Sequence, residues 1–173
     1  MEVAGPTFAQ KKITVIILEN IAGQIERFLL IQVATSVLVA VATGFTLWAL
    51  GLEEAAFWGF LAGLFNSIPY YGPLIVTGGL SIVAFLQFGT FSMTAAVAGA
   101  ALLITAVEGY LVTPALMGKV AEMNRVAVFA GLLFWSWVWG LPGLLLAVPM
   151  MMILKAVCDN IDDLKPIGRF LAE

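Results

Sequence analysis

Long apolar runs alternate with short polar punctuation along this chain. Residues 28–50, FLLIQVATSVLVAVATGFTLWAL, carry no charge. They are long enough to cross a membrane, for which about 20 helical residues suffice. Residues 93–112 predict a second span, which contains Glu108 and stops near Pro114. Two further apolar stretches are interrupted. Residues 55–88 break at NSIPYYGP, 66–73, and residues 126–157 break at GLPG, 140–143. The arms flanking each break are too short to span, so each stretch predicts a re-entrant, broken helical hairpin. Pro69 and Pro73 remove two backbone donors, and Gly72 permits an unusual turn. Gly140 suits the position just past a helix and Pro142 cannot continue one. Pro149 predicts a kink in the last arm.

Before the first span, Ile17, Ile21 and Ile25 recur at helical spacing, while Glu19, Gln24 and Arg27 lie off that stripe. The expected organisation is therefore an amphipathic cytoplasmic or interfacial segment at 1–27, a membrane domain at 28–157, and a polar cytoplasmic tail at 158–173.

Composition removes other readings. The chain is 62% apolar and 11% charged, with a mean hydropathy of +1.04. Soluble domains are about 45–50% apolar and about 25% charged. No soluble fold of this size buries such a surplus, so the fold class is an all-α integral membrane protein whose partner is the lipid bilayer. Histidine is absent and Cys158 is the single cysteine. That excludes Ser-His and Cys-His pairs, an internal disulfide and a multi-cysteine metal site. No catalytic residue, metal or cofactor is expected, and no basic run suggests nucleic acid.

Each broken stretch could cross once or double back, and charge placement favours doubling back: if 55–88 crossed only once, Lys119 and Arg125 would face outside. With the N-terminus cytoplasmic and both broken stretches doubling back, all eight Lys and Arg residues fall on one side. The order becomes span, hairpin, span, hairpin, with both termini cytoplasmic. That is an inverted repeat of the kind found in secondary transporters. Unwound backbone at membrane depth is tolerated only where protein buries it or water fills a cavity. The pathway candidates are therefore Asn66, Ser67, Tyr70 and the intramembrane acid Glu108, for a small polar solute or ion. Tyr71 is a weaker candidate. First-arm carbonyls at each break favour cations, and second-arm N–H groups favour anions. Pro69, Gly72, Pro73, Pro114, Gly140, Pro142, Gly143 and Pro149 shape the breaks. Gly59 and Gly63 form a GxxxG pair, a weak sign of close helix packing. Trp135, Trp137 and Trp139 fit interface anchoring, Met150–Met152 packing, and Cys158 an incidental thiol beyond the membrane. A channel or a non-transporting scaffold is the rival reading, because broken helices also build pores.

NSIPYYGPL at 66–74, VEGYLVTPALMG at 107–118 and WGLPGLLLAVP at 139–149 resemble the autoinducer-2 exporter family of bacterial permeases. The tail at 154–168 resembles one branch of it. The resemblance implies an oligomeric bacterial inner-membrane transporter, with some members linked to autoinducer-2 export and others to sodium/proton exchange. Pro69, Gly72, Pro73, Glu108, Pro114, Gly140, Gly143 and Pro149 match its pattern. Two departures stand out. Family members carry further spans upstream, so this chain resembles a C-terminal half. Arg125 stands where the family usually has proline.

Overall fold

The computed structural model describes residues 8–117, 123–161 and 164–172. All regular structure among them is helical: α1 (Phe8–Ala49), α2 (Ala55–Asn66), α3 (Tyr71–Phe88), α4 (Phe91–Val107), a π-helical segment (Glu108–Val112), α5 (Thr113–Met117), α6 (Arg125–Trp139), α7 (Leu141–Asn160) and α8 (Lys165–Ala172). Four stretches are long and apolar enough to cross a membrane: Ile21–Ala49, Tyr71–Phe88, Phe91–Met117 and Leu141–Asp159. The protein is a multi-pass, all-α membrane protein. Its outward surface agrees. Leu30, Val33, Val37, Val41, Phe45 and Trp48 are each more than half exposed and form one stripe along α1.

Helix bounds differ from the sequence pattern in three places. Residues 8–49 form one continuous helix, so no break separates the amphipathic segment from the first span. The second arms of both broken stretches are longer than the apolar runs suggested. Pro73 and Pro142 sit inside the first turns of α3 and α7, where the missing N–H has no intrahelical role. Those arms therefore reach 18 and 20 residues. The second span also continues through Pro114 to Met117, and α7 runs on through Pro149. The loop residues Lys119 and Glu122, residues 1–7, and Asp162 and Asp163 lie outside the described residues. So do the side chains of Ile17 and Arg125.

The chain divides into two units. In Leu30–Gly118, α1 and α2 run antiparallel along a seam of small residues. A Cβ on Gly59 would lie 2.6 Å from the Gly44 Cα, and one on Gly63 would lie 2.5 Å from the Ser36 carbonyl oxygen. The Gly59/Gly63 pair, weak as a sequence signal, is the contact surface of α2. Helix α3 buries Gly72, Val76, Leu80 and Ala84 at four-residue spacing. They meet Val39, Leu47, Ala62, Val97 and Ala101 in the core. The α1–α2 turn is held by one side chain. Gln87 accepts from the Glu53 N–H at 2.9 Å and donates to the Gly51 carbonyl at 2.8 Å. Gln87→Leu removes both bonds and is expected to cost about 1 kcal/mol, read as a lower unfolding midpoint in detergent.

In the second unit, Met1–Leu29 with Lys119–Glu173, α6 and α7 form a hairpin around Gly140, whose φ of 64° and ψ of −137° suit glycine. Asn124 caps α6 by accepting from the Val126 N–H at 2.8 Å. Arg125 occupies the first helical position, where proline is also accommodated, so the departure from the family pattern leaves the helix start intact. The tail folds back as α8. Leu171 packs with Ala127, Met151 and Cys158, and the Leu171 carbonyl accepts from the Asn124 N–H at 2.8 Å. Cys158 is thus a buried core residue rather than a thiol in a polar tail. The Trp135 and Trp139 rings lie 5.4 Å apart and tilted by 40°, while Trp137 is 84% exposed on another face.

Candidate functional site

The α2–α3 break is built from proline chemistry. Helix α2 ends at Asn66, whose carbonyl accepts from the Gln32 side-chain amide at 3.2 Å. The chain then turns sharply at Tyr70, which has φ 65° and ψ −49°. The Tyr71 N–H donates to the Pro69 carbonyl at 2.7 Å across this residue. Those features define a γ-turn of the rare positive-φ kind, which is strained for a residue with a side chain. Gly72 follows, and its N–H donates to the Ile68 carbonyl at 3.0 Å. A Cβ at Gly72 would collide with the Phe65 carbonyl, so the second arm starts in direct contact with the end of the first. The α6–α7 break uses the same device, with Gly143 set against the Trp135 carbonyl.

These bonds alter one sequence expectation. The start of α3 was expected to present free N–H groups. Tyr71 and Gly72 spend theirs within the turn, and Pro73 has none. The first three residues of α3 therefore offer no free N–H group.

A small cavity of about 10 Å³ adjoins the break, close to the least space that holds one water. Thr43, Asn66, Thr77 and Thr105 supply its polar wall, with Gly72 and Pro73 at the break itself. Four helices of one unit thus meet there. The Thr105 hydroxyl donates to the Ala101 carbonyl at 2.9 Å, so its oxygen can only accept from the cavity side.

Glu108 lies on the same helical stripe. The inward positions of this span are Val97, Ala101, Thr105, Glu108, Thr113 and Met117, with Glu108 8% exposed and Met117 4%. One interval in that series is five residues, and it coincides with the π-helical segment. The Thr113 N–H donates to the Glu108 carbonyl five residues back, and the Thr113 hydroxyl donates to Glu108 Oε1 at 2.5 Å. Pro114 explains the π turn. Its ring would crowd the carbonyl four residues earlier and it has no N–H to give, so the ladder widens just before it. The widening keeps Thr113 and Met117 on the buried face. π turns of this kind occur often at functional sites.

Of the residues singled out from sequence, Asn66, Gly72 and Pro73 come together at the cavity, and Glu108 sits one turn beyond Thr105, at the start of the π-helical segment. Ser67 follows the last residue of α2, and Tyr70 is half exposed. Neither lines the cavity. Gly140, Pro142, Gly143 and Pro149 belong to the other unit. Sequence reasoning missed Thr43, Thr77, Thr105, Thr113 and Gln32. Threonine and glutamine at helical spacing within an apolar run were the available signal.

The family model for AI-2E family transporters matches residues 4–163, and the chain belongs to that family. Among curated relatives, the AI-2 transport protein TqsA of Escherichia coli is 30% identical over 143 residues, covering 83% of this chain and 41% of that protein. A Haemophilus influenzae protein is 33% identical over 144 residues, 83% of this chain and 40% of its own. A Borreliella burgdorferi protein is 28% identical over 157 residues, 89% of this chain and 43% of its own. The names of the last two assign them to transport only provisionally. The chain spans about two fifths of the length of these relatives.

Proposed function

We propose that the chain forms part of a secondary transporter that moves a small polar solute or ion across the bacterial inner membrane, working as a homo-oligomer by alternating access around the broken hairpins. Autoinducer-2 is the first solute to test, because one relative is named for its transport. The observation that carries this reading is the α2–α3 break. It combines a strained turn at Tyr70, a small cavity with a partly polar wall and a buried carboxylate one turn away. Broken helices with such features form the substrate sites of transporters.

The geometry also supports a re-entrant reading. Helix α2 is about 18 Å long, well short of a hydrocarbon core of about 30 Å. Gln87 ties the α1–α2 turn to the end of α3, so the hairpin has both feet at one end. The shared glycine-on-carbonyl device at Gly72 and Gly143 supports an internal repeat. Family membership supports a transport role rather than an enzymatic one.

Two measurements test this. Reconstituted in proteoliposomes, the protein is expected to accumulate autoinducer-2 or ²²Na⁺ only while a proton or sodium gradient is imposed. Gradient-independent, ohmic conduction would establish a channel instead, and no flux would leave a scaffold. Accumulation of ²²Na⁺ against an outward proton flow would mark a sodium/proton antiporter. For topology, Glu53→Cys and Thr90→Cys, each in a Cys158→Ala background, should both label from the outside of whole cells. Both residues are exposed. Labelling from opposite sides refutes the re-entrant arrangement.

A further inference from the structure

We propose that α8 is an interfacial helix that docks on the phospholipid surface where α7 ends, with Ile167 and Phe170 set against the acyl chains and Arg169 on headgroup phosphate. The proposal does not depend on the transporter reading.

Contacts fix the level of α8 and its direction. Helix α7 is apolar enough to cross a membrane over Leu141–Asp159. Its end carries the Lys155–Asp159 ion pair at 2.8 Å, which suits the level where hydrocarbon gives way to headgroups. Helix α8 is held there at two points. Gly168 lies against Asp159, where a Cβ would collide with the carboxylate. The Leu171 carbonyl accepts from the Asn124 N–H just ahead of α6, and the Leu171 side chain is buried with Ala127 and Cys158. The end of α7 and the start of α6 are the two feet of one hairpin. A helix that bridges those feet runs along the membrane surface rather than out into water.

The side chains of α8 fit that place. At about 100° per residue, Gly168 and Leu171 share the face turned to the hairpin. Pro166, Ile167 and Phe170 share a second face, and Lys165 and Arg169 a third. Ile167 is 48% exposed and Phe170 63%, and both cations are exposed. In water the second face would leave two large apolar side chains uncovered beside the end of a span. In the interface such a face sinks about 5–10 Å to the boundary of headgroups and acyl chains. The cations then stay among the headgroups, where a guanidinium matches phosphate oxygens bidentately. Helix α8 carries no acid of its own, and Asp159 beneath it is paired with Lys155. Because α8 holds both feet of the hairpin, its contact with lipid braces the base of α6 and α7.

The test is the depth of spin labels in the full chain, reconstituted in nanodiscs of phosphatidylcholine and phosphatidylglycerol. Nitroxides are placed at Ile167→Cys, Phe170→Cys and Ala172→Cys, one at a time. Cys158 is 3% exposed, so the parent protein serves as the unlabelled control. Molecular oxygen concentrates in the bilayer and a nickel chelate in water. Labels at 167 and 170 are expected to relax with oxygen and to be shielded from nickel, and the label at 172 to show the reverse. Nickel access at all three positions means a solvated tail and overturns the proposal. Shielding of 167 and 170 from both relaxants means that protein covers them, a second copy included, and overturns it equally. Phe170→Ser and Arg169→Gln, made with the label at 167, should each raise nickel access there severalfold. Neither side chain belongs to the buried cluster around Leu171, so unfolding midpoints in detergent should stay near that of the labelled parent. Unchanged nickel access in both variants also refutes the docking.

Discussion

Gly72→Ala is expected to destabilise the protein by about 3 kcal/mol, and Gly143→Ala by a similar amount. In both cases the added methyl group meets a backbone carbonyl, that of Phe65 or Trp135, rather than the end of a flexible side chain. Helix α3 can relieve the clash only by lifting away from the end of α2. That movement would break the Gly72–Ile68 hydrogen bond and open the cavity. A matched control lies six residues away. Gly78 is in the same helix, with nothing within 4 Å of the Cβ position. Gly78→Ala should be neutral or stabilising by up to about 1 kcal/mol, as helix propensity predicts. Unfolding midpoints of the three variants in one detergent decide the matter. If Gly72→Ala behaves like Gly78→Ala, the close contact at the break constrains nothing.

Those two glycines also show what the sequence made visible. Their neighbours Pro69, Pro73 and Pro142 marked the breaks, because proline acts on the backbone locally and its effect is readable from one residue. The membrane character was equally legible, since composition needs no register. Helix bounds were less so. A proline at the first turn of a helix looks the same in sequence as one that stops a helix, and only the chain path shows which it is. Pro114 is the sharpest case. It read as the end of a span, whereas a π turn carries the helix past it to Met117. The cavity was the least legible. Thr43, Asn66, Thr77 and Thr105 come from four helices, and their meeting depends on the α1–α2 seam and on the turn tied by Gln87. Nothing in a single helix announces that meeting. That Tyr71 and Gly72 spend their N–H groups was hidden for a related reason, because it follows from a γ-turn that no residue pattern specifies.

Glu108→Gln is expected to lower gradient-driven flux by about 10- to 100-fold, the loss that follows when an interaction of about 1.5–3 kcal/mol with a charged group is removed. Glutamine keeps the size of the side chain and an acceptor for the Thr113 hydroxyl, so packing around the π turn should persist. Only the charge is lost. An ionisable side chain inside a span is costly and is retained where it serves a pathway or an ion. The alternative is that Glu108 merely gives Thr113 a partner. In that case Glu108→Gln would leave flux unchanged and Thr113→Val would alter stability alone. If the carboxylate carries coupling, Thr113→Val should reduce flux by freeing it from its orientation, and Thr113→Ser should restore flux by returning the hydroxyl. Pro114→Ala probes the same device through the backbone. Alanine removes the reason for the π turn, and a regular α-helix would turn residues 113–117 by about 100° relative to Glu108. Thr113 would then leave the carboxylate, and flux should fall as it does in Thr113→Val although every side chain in the pair is still present.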